Sequence, residues 1–212
     1  MTREEYRGIC DLRFGKEVYE KLEKSRVAVA GLGGLGSHIA VMLARSGVGT
    51  LHLIDFDNVD ISNLNRQEYY VQHIGRPKTE CLKEKLLEIN PFIHIITENV
   101  RVTQDNLEEV FKDEYIVCEA FDGAEQKAML VNGILEKLPY IKLISGSGMA
   151  GYGDSNTILT RRIFQNFYLC GDGETDSEKG VGLMAPRVSI CAGHQANKAI
   201  QLILYQEDDE IK

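Results

Sequence analysis

The sequence predicts an α/β protein of Rossmann-like type: a mostly parallel central sheet flanked by helices, with a C-terminal strand, loop and helix added. Three observations carry this prediction. Short apolar runs alternate with helical stretches along most of the chain. The turn after the first run reads GLGGLG, residues 31–36. An acidic residue, Asp55, closes the second run, 24 positions after Gly31.

The elements follow in order. A charged, helical N-terminal region (1–25) precedes a first strand, RVAVA at 26–30. A helix is expected over 35–46, and a strand over 50–55. A second helix is expected over 76–90 and a third strand over 93–100. Next come a short helix near 104–112, a strand at 115–120, a helix over 124–137 and a strand at 140–146. That βαβα order implies parallel strands joined by right-handed crossovers. Beyond residue 150 the pattern changes: a strand at 155–164 is expected at the sheet's edge or second half. The polar, glycine-rich stretch 170–182 is expected as a mobile loop, and 186–204 as a last amphipathic helix before a solvated tail.

With 212 residues the chain is most simply one domain, with a nucleotide-binding core at 26–150 and a C-terminal part at 151–212. No apolar run is long enough to span a membrane, and the charged first 25 residues lack a signal-peptide core, so a cytoplasmic location is expected. The formal net charge of −8 disfavours a nucleic-acid partner. The five cysteines form no C-x-x-C pair, so neither a zinc site nor a disulfide framework is indicated. Cys118 and Cys191 read as buried small apolar residues, and the five histidines are scattered and read as structural.

GLGGLG follows a strand and opens a helix, the context in which glycines admit a tight turn and a close phosphate approach. Helix N-terminal N–H groups then face that phosphate. Asp55 can accept from both hydroxyls of a ribose. A dinucleotide-dependent oxidoreductase would read the same way to this point. The next segments, DFDNVDISNLNRQ (55–67) and IGRPK (74–78), add Arg66 and Lys78, cations suited to a triphosphate, and the amides of Asn63 and Gln67. Pro77 suits a helix start, with Lys78 beside it.

These motifs, with HQAN at 194–197, resemble the ATP-dependent activating enzymes of sulfur-carrier and ubiquitin-like proteins, the ThiF/MoeB family. The resemblance covers about residues 10–204 and is nearest to compact members that serve the thiamine-pathway carrier ThiS. It implies adenylation of a carrier's C-terminal Gly-Gly carboxylate by ATP with Mg²⁺. It places Gly31, Gly33 and Gly34 along the nucleotide, Asp55 on the ribose, and Asn63, Arg66, Gln67 and Lys78 around the phosphates. Asp122 takes the position that holds Mg²⁺; read from the residues alone, it could instead cap the following helix.

The resemblance further implies a homodimer, with Arg13 as a candidate reaching the partner's site, although the family's R-Y-x-R-Q run is absent. It makes Cys170 a candidate for linkage to the carrier, as an exposed loop thiol. Relatives often read D-x-x-D-N-x-x-x-R after the fourth strand. Here Glu119, Asp122, Gly123 and Lys127 stand in that stretch, and the missing arginine has no explanation in the sequence. Alternatives are a molybdopterin-type carrier, a tRNA-modifying dehydratase of the same superfamily, a nicotinamide oxidoreductase, and a non-catalytic binding subunit.

Overall fold

The computed structural model describes residues 1–175 and 181–205. Among these described residues seven strands form one sheet: β1 (Arg26–Ala30), β2 (Thr50–Ile54), β3 (His94–Glu98), β4 (Ile116–Glu119), β5 (Lys142–Gly146), β6 (Leu159–Phe164) and β7 (Phe167–Gly171). Their order is β3-β2-β1-β4-β5-β7-β6. Every pairing is parallel except the β6–β7 hairpin.

Among the described residues seven α-helices accompany the sheet: α1 (Arg3–Phe14), α2 (Lys16–Glu23), α3 (Gly34–Arg45), α4 (Lys78–Ile89), α5 (Leu107–Phe111), α6 (Ala124–Lys137) and α7 (Ala185–Leu204). The period-2 alternation of the strands divides the core in two. Val27, Val29, Leu51, Leu53, Cys118 and Ile144 join one apolar cluster with residues of α3, α4 and α7. Ala28, Ala30, Ile54, Val117 and Leu143 join the other with α5 and α6. Both faces of the central strands are therefore buried, as a parallel sheet requires.

The α/β expectation is met, and the helix expected over 124–137 has those bounds. The C-terminal part differs. The strand expected at 155–164 is shorter, and a second strand, β7, follows it through the two-residue turn Gln165–Asn166. β7 inserts between β5 and the edge strand β6. The loop expected from residue 170 begins after Gly171 instead. Of that loop, 176–180 lie outside the described residues, as do 206–212 of the tail. Among the described residues no helix is long and apolar enough to cross a membrane.

Strand order reverses between β1 and β4. In an open α/β sheet the crevice beyond the strand ends at such a switch point receives the ligand. The loops after β1 and β4 meet there. Gly31 has φ of 89°, and a Cβ on it would lie 2.9 Å from the Ala120 carbonyl oxygen. Its amide donates to the Ile54 carbonyl at 2.8 Å. Gly36 lets α3 close onto the strand end, since a Cβ there would fall 1.8 Å from the Gly31 carbonyl oxygen.

Candidate nucleotide site at the switch point

Asp55 follows β2 and is almost wholly buried. Its Oδ2 accepts from the Leu32 N–H at 2.6 Å, and its Oδ1 from the Asp57 N–H at 2.7 Å. Burial pushes its carboxyl up, and the nearby Lys78 and the two N–H donors oppose that. The acid is thereby fixed against the glycine loop, with lone pairs left for a further donor on each oxygen.

Lys78 stands 23 positions later in sequence yet returns to the same place. Asn58 and Pro77 form an antiparallel bridge, and the Lys78 N–H donates to the Asp57 carbonyl at 3.0 Å. Its ammonium is buried and donates to Asp57 Oδ2 at 2.9 Å. An incoming phosphate would compete with Asp57 for it, a partner the sequence pattern did not indicate. Pro77 caps the helix and Lys78 opens it, so the helix begins two residues later than the expected 76.

Arg66 and Gln67 stand over the other side of the glycine loop. A Cβ on Gly34 would lie 3.7 Å from Arg66 Cγ, and one on Gly33 would lie 3.7 Å from Gln67 Nε2. Arg66 Nη1 donates to the Ser62 carbonyl at 3.0 Å and to Asn65 Oδ1 at 2.8 Å. Gln67 is buried, and its Oε1 has no hydrogen-bond partner. Such an orphaned acceptor beside the helix start, which no side chain caps, fits a place meant for a bound hydroxyl or water. Tyr69, buried in the same segment, donates through its hydroxyl to the Leu32 carbonyl at 2.8 Å. Asn63 is partly spent on its own turn: its Oδ1 accepts from the Asp60 N–H at 3.0 Å. Its amide NH₂ remains as a donor.

Asp122 follows β4 and is exposed. Gly123 is the N-cap of α6 and no side chain caps that helix, so capping does not account for Asp122. Three contacts to one buried carboxylate shape the turn that carries it. Glu119, fully buried, accepts from the Phe121 N–H at 2.7 Å, from the Ser145 hydroxyl, and from Lys127 Nζ at 2.5 Å. Lys127 thus supplies the cation that appeared to be missing. The acid is one methylene longer than in the D-x-x-D pattern and the base is a lysine, and the two meet.

One expectation is corrected. Cys170 is not an exposed loop thiol. It lies within β7, is fully buried, and packs near Thr160 and Cys191. Burial pushes its thiol up to about 11, so little nucleophilic thiolate is available at neutral pH. Arg13, expected to serve a partner's site, lies exposed in the last turn of α1, and no described contact joins it to the glycine loop of its own chain. Among the described residues no three His, Cys, Asp or Glu side chains gather as a metal site.

Residues 10–212 match the sequence profile of the ThiF family. The chain belongs to that family. A Salmonella typhimurium protein named molybdopterin-synthase adenylyltransferase is 34% identical over 199 residues, covering 91% of this chain and 78% of its own length. A sulfur carrier protein ThiS adenylyltransferase of Escherichia coli is 32% identical over 190 residues, covering 87% and 74%. A Bacillus subtilis tRNA threonylcarbamoyladenosine dehydratase is 39% identical over 147 residues, covering 68% of this chain and 57% of that protein. Among solved structures, the E. coli dehydratase TcdA, in complex with ATP, superposes with a TM-score of 0.84 at 22% identity, covering 93% of both chains. The sheet and its flanking helices are thus those of the ThiF fold, and the chain is an enzyme of the ThiF adenylyltransferase type.

Proposed function

We propose that this enzyme uses ATP to adenylate the C-terminal Gly-Gly carboxylate of a small ubiquitin-like sulfur carrier of the ThiS kind. The observation that carries the reading is the convergence of groups with complementary tasks on one crevice. Asp55 offers ribose acceptors beside the glycine loop. Arg66 and Gln67 cover the start of α3, and Lys78 lies at the far end of the same excursion.

The reaction needs little else. A carboxylate oxygen of the carrier attacks the α-phosphorus, the bond to the β-phosphate oxygen breaks, and pyrophosphate leaves. A terminal carboxylate has a pKa near 3.5 and is ionised at neutral pH, so no general base is required. What the protein supplies is alignment and neutralisation of phosphate charge. Gly31, Gly33 and Gly34 let the backbone approach the nucleotide, and Arg66, Lys78 and the Asn63 and Gln67 amides take the phosphate oxygens. Asp122, exposed and uncommitted to capping, suits Mg²⁺, which binds through one or two carboxylates together with phosphates and water. Mg²⁺ there would further offset phosphate charge.

In a homodimer Arg13 would serve the second copy's site, since its own lies out of its described contacts. Cys170 has no part in this reading. A molybdopterin-type carrier presents the same carboxylate chemistry. A second reading, activation of a carboxylate on modified tRNA, is favoured by the B. subtilis relative and opposed by the net charge of −8. ATP–pyrophosphate exchange measured with ThiS-type carrier, molybdopterin-type carrier or tRNA separates the three. Exchange stimulated by tRNA and by neither carrier overturns the first reading.

A further inference from the structure

Outside the groups assigned above, one half-buried polar cluster links the two halves of the site. His38 lies on α3, one turn beyond Gly34. Its Nδ1 is 2.8 Å from Glu68 Oε1. Its Nε2 is 3.2 Å from the Arg66 carbonyl oxygen and 3.2 Å from the Ser189 hydroxyl of α7. Next to it, the Ser37 hydroxyl accepts from the Glu68 N–H at 3.1 Å.

Glu68 is held in turn from α4. Lys85 Nζ pairs with Glu68 Oε2 and donates to the Glu68 carbonyl at 2.9 Å. It also sits 4.6 Å above the Tyr70 ring. Hydrogen bonds from His38 and Lys85 hold the Glu68 carboxyl down at about 2, so it stays a charged acceptor throughout the physiological range. Residues 66–68 are therefore gripped through a backbone carbonyl, a backbone amide and a carboxylate, mostly from α3.

We infer that His38 is a positioning residue that sets Arg66 and Gln67 over the glycine loop, acting through the Arg66 carbonyl and Glu68. The inference rests on the proposed nucleotide site. α3 begins with the glycines, and the cation and the amide sit on a segment without regular secondary structure of its own. Registration between the two comes from contacts such as these. A backbone held in place this way presents its side chains with little ordering left to occur on binding, which is how remote contacts raise affinity. His38 itself touches the main chain of Arg66, and the nucleotide-facing groups are its neighbours.

The test uses the full chain with Mg-ATP and isothermal titration calorimetry, alongside thermal unfolding and amide hydrogen exchange at Gln67 and Glu68. In His38→Ala the Kd for ATP should rise by about fivefold or more, the loss expected for one ordinary hydrogen bond, with faster exchange at both amides. His38→Gln, whose amide NH₂ can still donate to Glu68 or to the Arg66 carbonyl, should recover part of the affinity. Should His38→Ala fail to fold, His38→Gln and Ser189→Ala carry the comparison against wild type. A folded His38 variant that melts earlier but binds ATP with wild-type Kd overturns the inference and leaves the site reading standing. A wild-type chain that binds no ATP overturns the site reading, and this inference with it.

Discussion

The Glu119 carboxylate and the Lys127 ammonium form an ion pair, 2.5 Å apart, across the turn between β4 and α6. The glutamate side chain has no solvent exposure, and the lysine keeps 23% of its own. Phe121 N–H and the Ser145 hydroxyl complete the carboxylate's shell. Lys127 therefore compensates a charge that the core cannot leave bare.

Removing that lysine should destabilise the fold. Lys127→Ala leaves Glu119 with two neutral donors, and a loss of about 2 kcal/mol is expected from an incompletely compensated buried charge. Lys127→Arg should retain most of the stability. Urea unfolding midpoints check both, and an unchanged midpoint in Lys127→Ala would remove the pair from the account.

Arg66 and Lys78 should separate activity from folding to different degrees. Arg66 is half-buried, and its guanidinium donates to Ser62 and Asn65 of its own loop. Arg66→Ala should lower pyrophosphate exchange by about 100-fold or more with less than about 1 kcal/mol lost in stability. Lys78→Ala should lose exchange and some stability together, because Lys78 is buried beside Asp55 and Asp57. Asp122→Asn should lower exchange and leave the unfolding midpoint in place. Wild-type exchange in Arg66→Ala would falsify its assignment.

Glu68 makes acid stability diagnostic of the His38 cluster. Its carboxyl lies at about 2 in the folded chain, below the ordinary 4.5. A depressed folded-state pKa stabilises the fold above the unfolded value, and that contribution is lost as pH falls from about 4.5 towards 2. Glu68→Gln should therefore be less stable than wild type near neutrality, with the gap narrowing through that window. Chemical unfolding at several pH values reads this directly, and a gap independent of pH would contradict it.

The cysteines offer a check on the corrected C-terminal part. All five are buried. Burial raises the thiols of Cys170 and Cys191 to about 11 and about 12, and raises Cys118 further. Alkylation of the native chain by iodoacetamide should be slow at every site and complete in denaturant. Rapid native labelling of Cys170 would return it to the surface.

How far the site could be read from the sequence depended on how local its geometry is. Gly31 and Asp55 were legible because each sits at a strand end, where φ or charge dictates the residue type. Lys78 was legible as a cation but not as a partner of Asp57, since that contact depends on the bridge between Asn58 and Pro77. Lys127 was read as a departure because the pair couples residues eight apart across a strand, a turn and a helix. β7 was missed because FYLCG runs straight into a glycine-rich polar stretch, and its place beside β5 comes from a non-local pairing. His38 was read as a scattered structural histidine, and only the fold brings Glu68, Arg66 and Ser189 around it.

The most direct measurement of the central claim is ATP–pyrophosphate exchange by the purified chain with Mg²⁺ and a ThiS-type carrier ending in Gly-Gly. The account predicts exchange that requires the carrier's free C-terminal carboxylate and falls about 100-fold or more in Arg66→Ala. No exchange with that carrier, or exchange undiminished in Arg66→Ala, would contradict it.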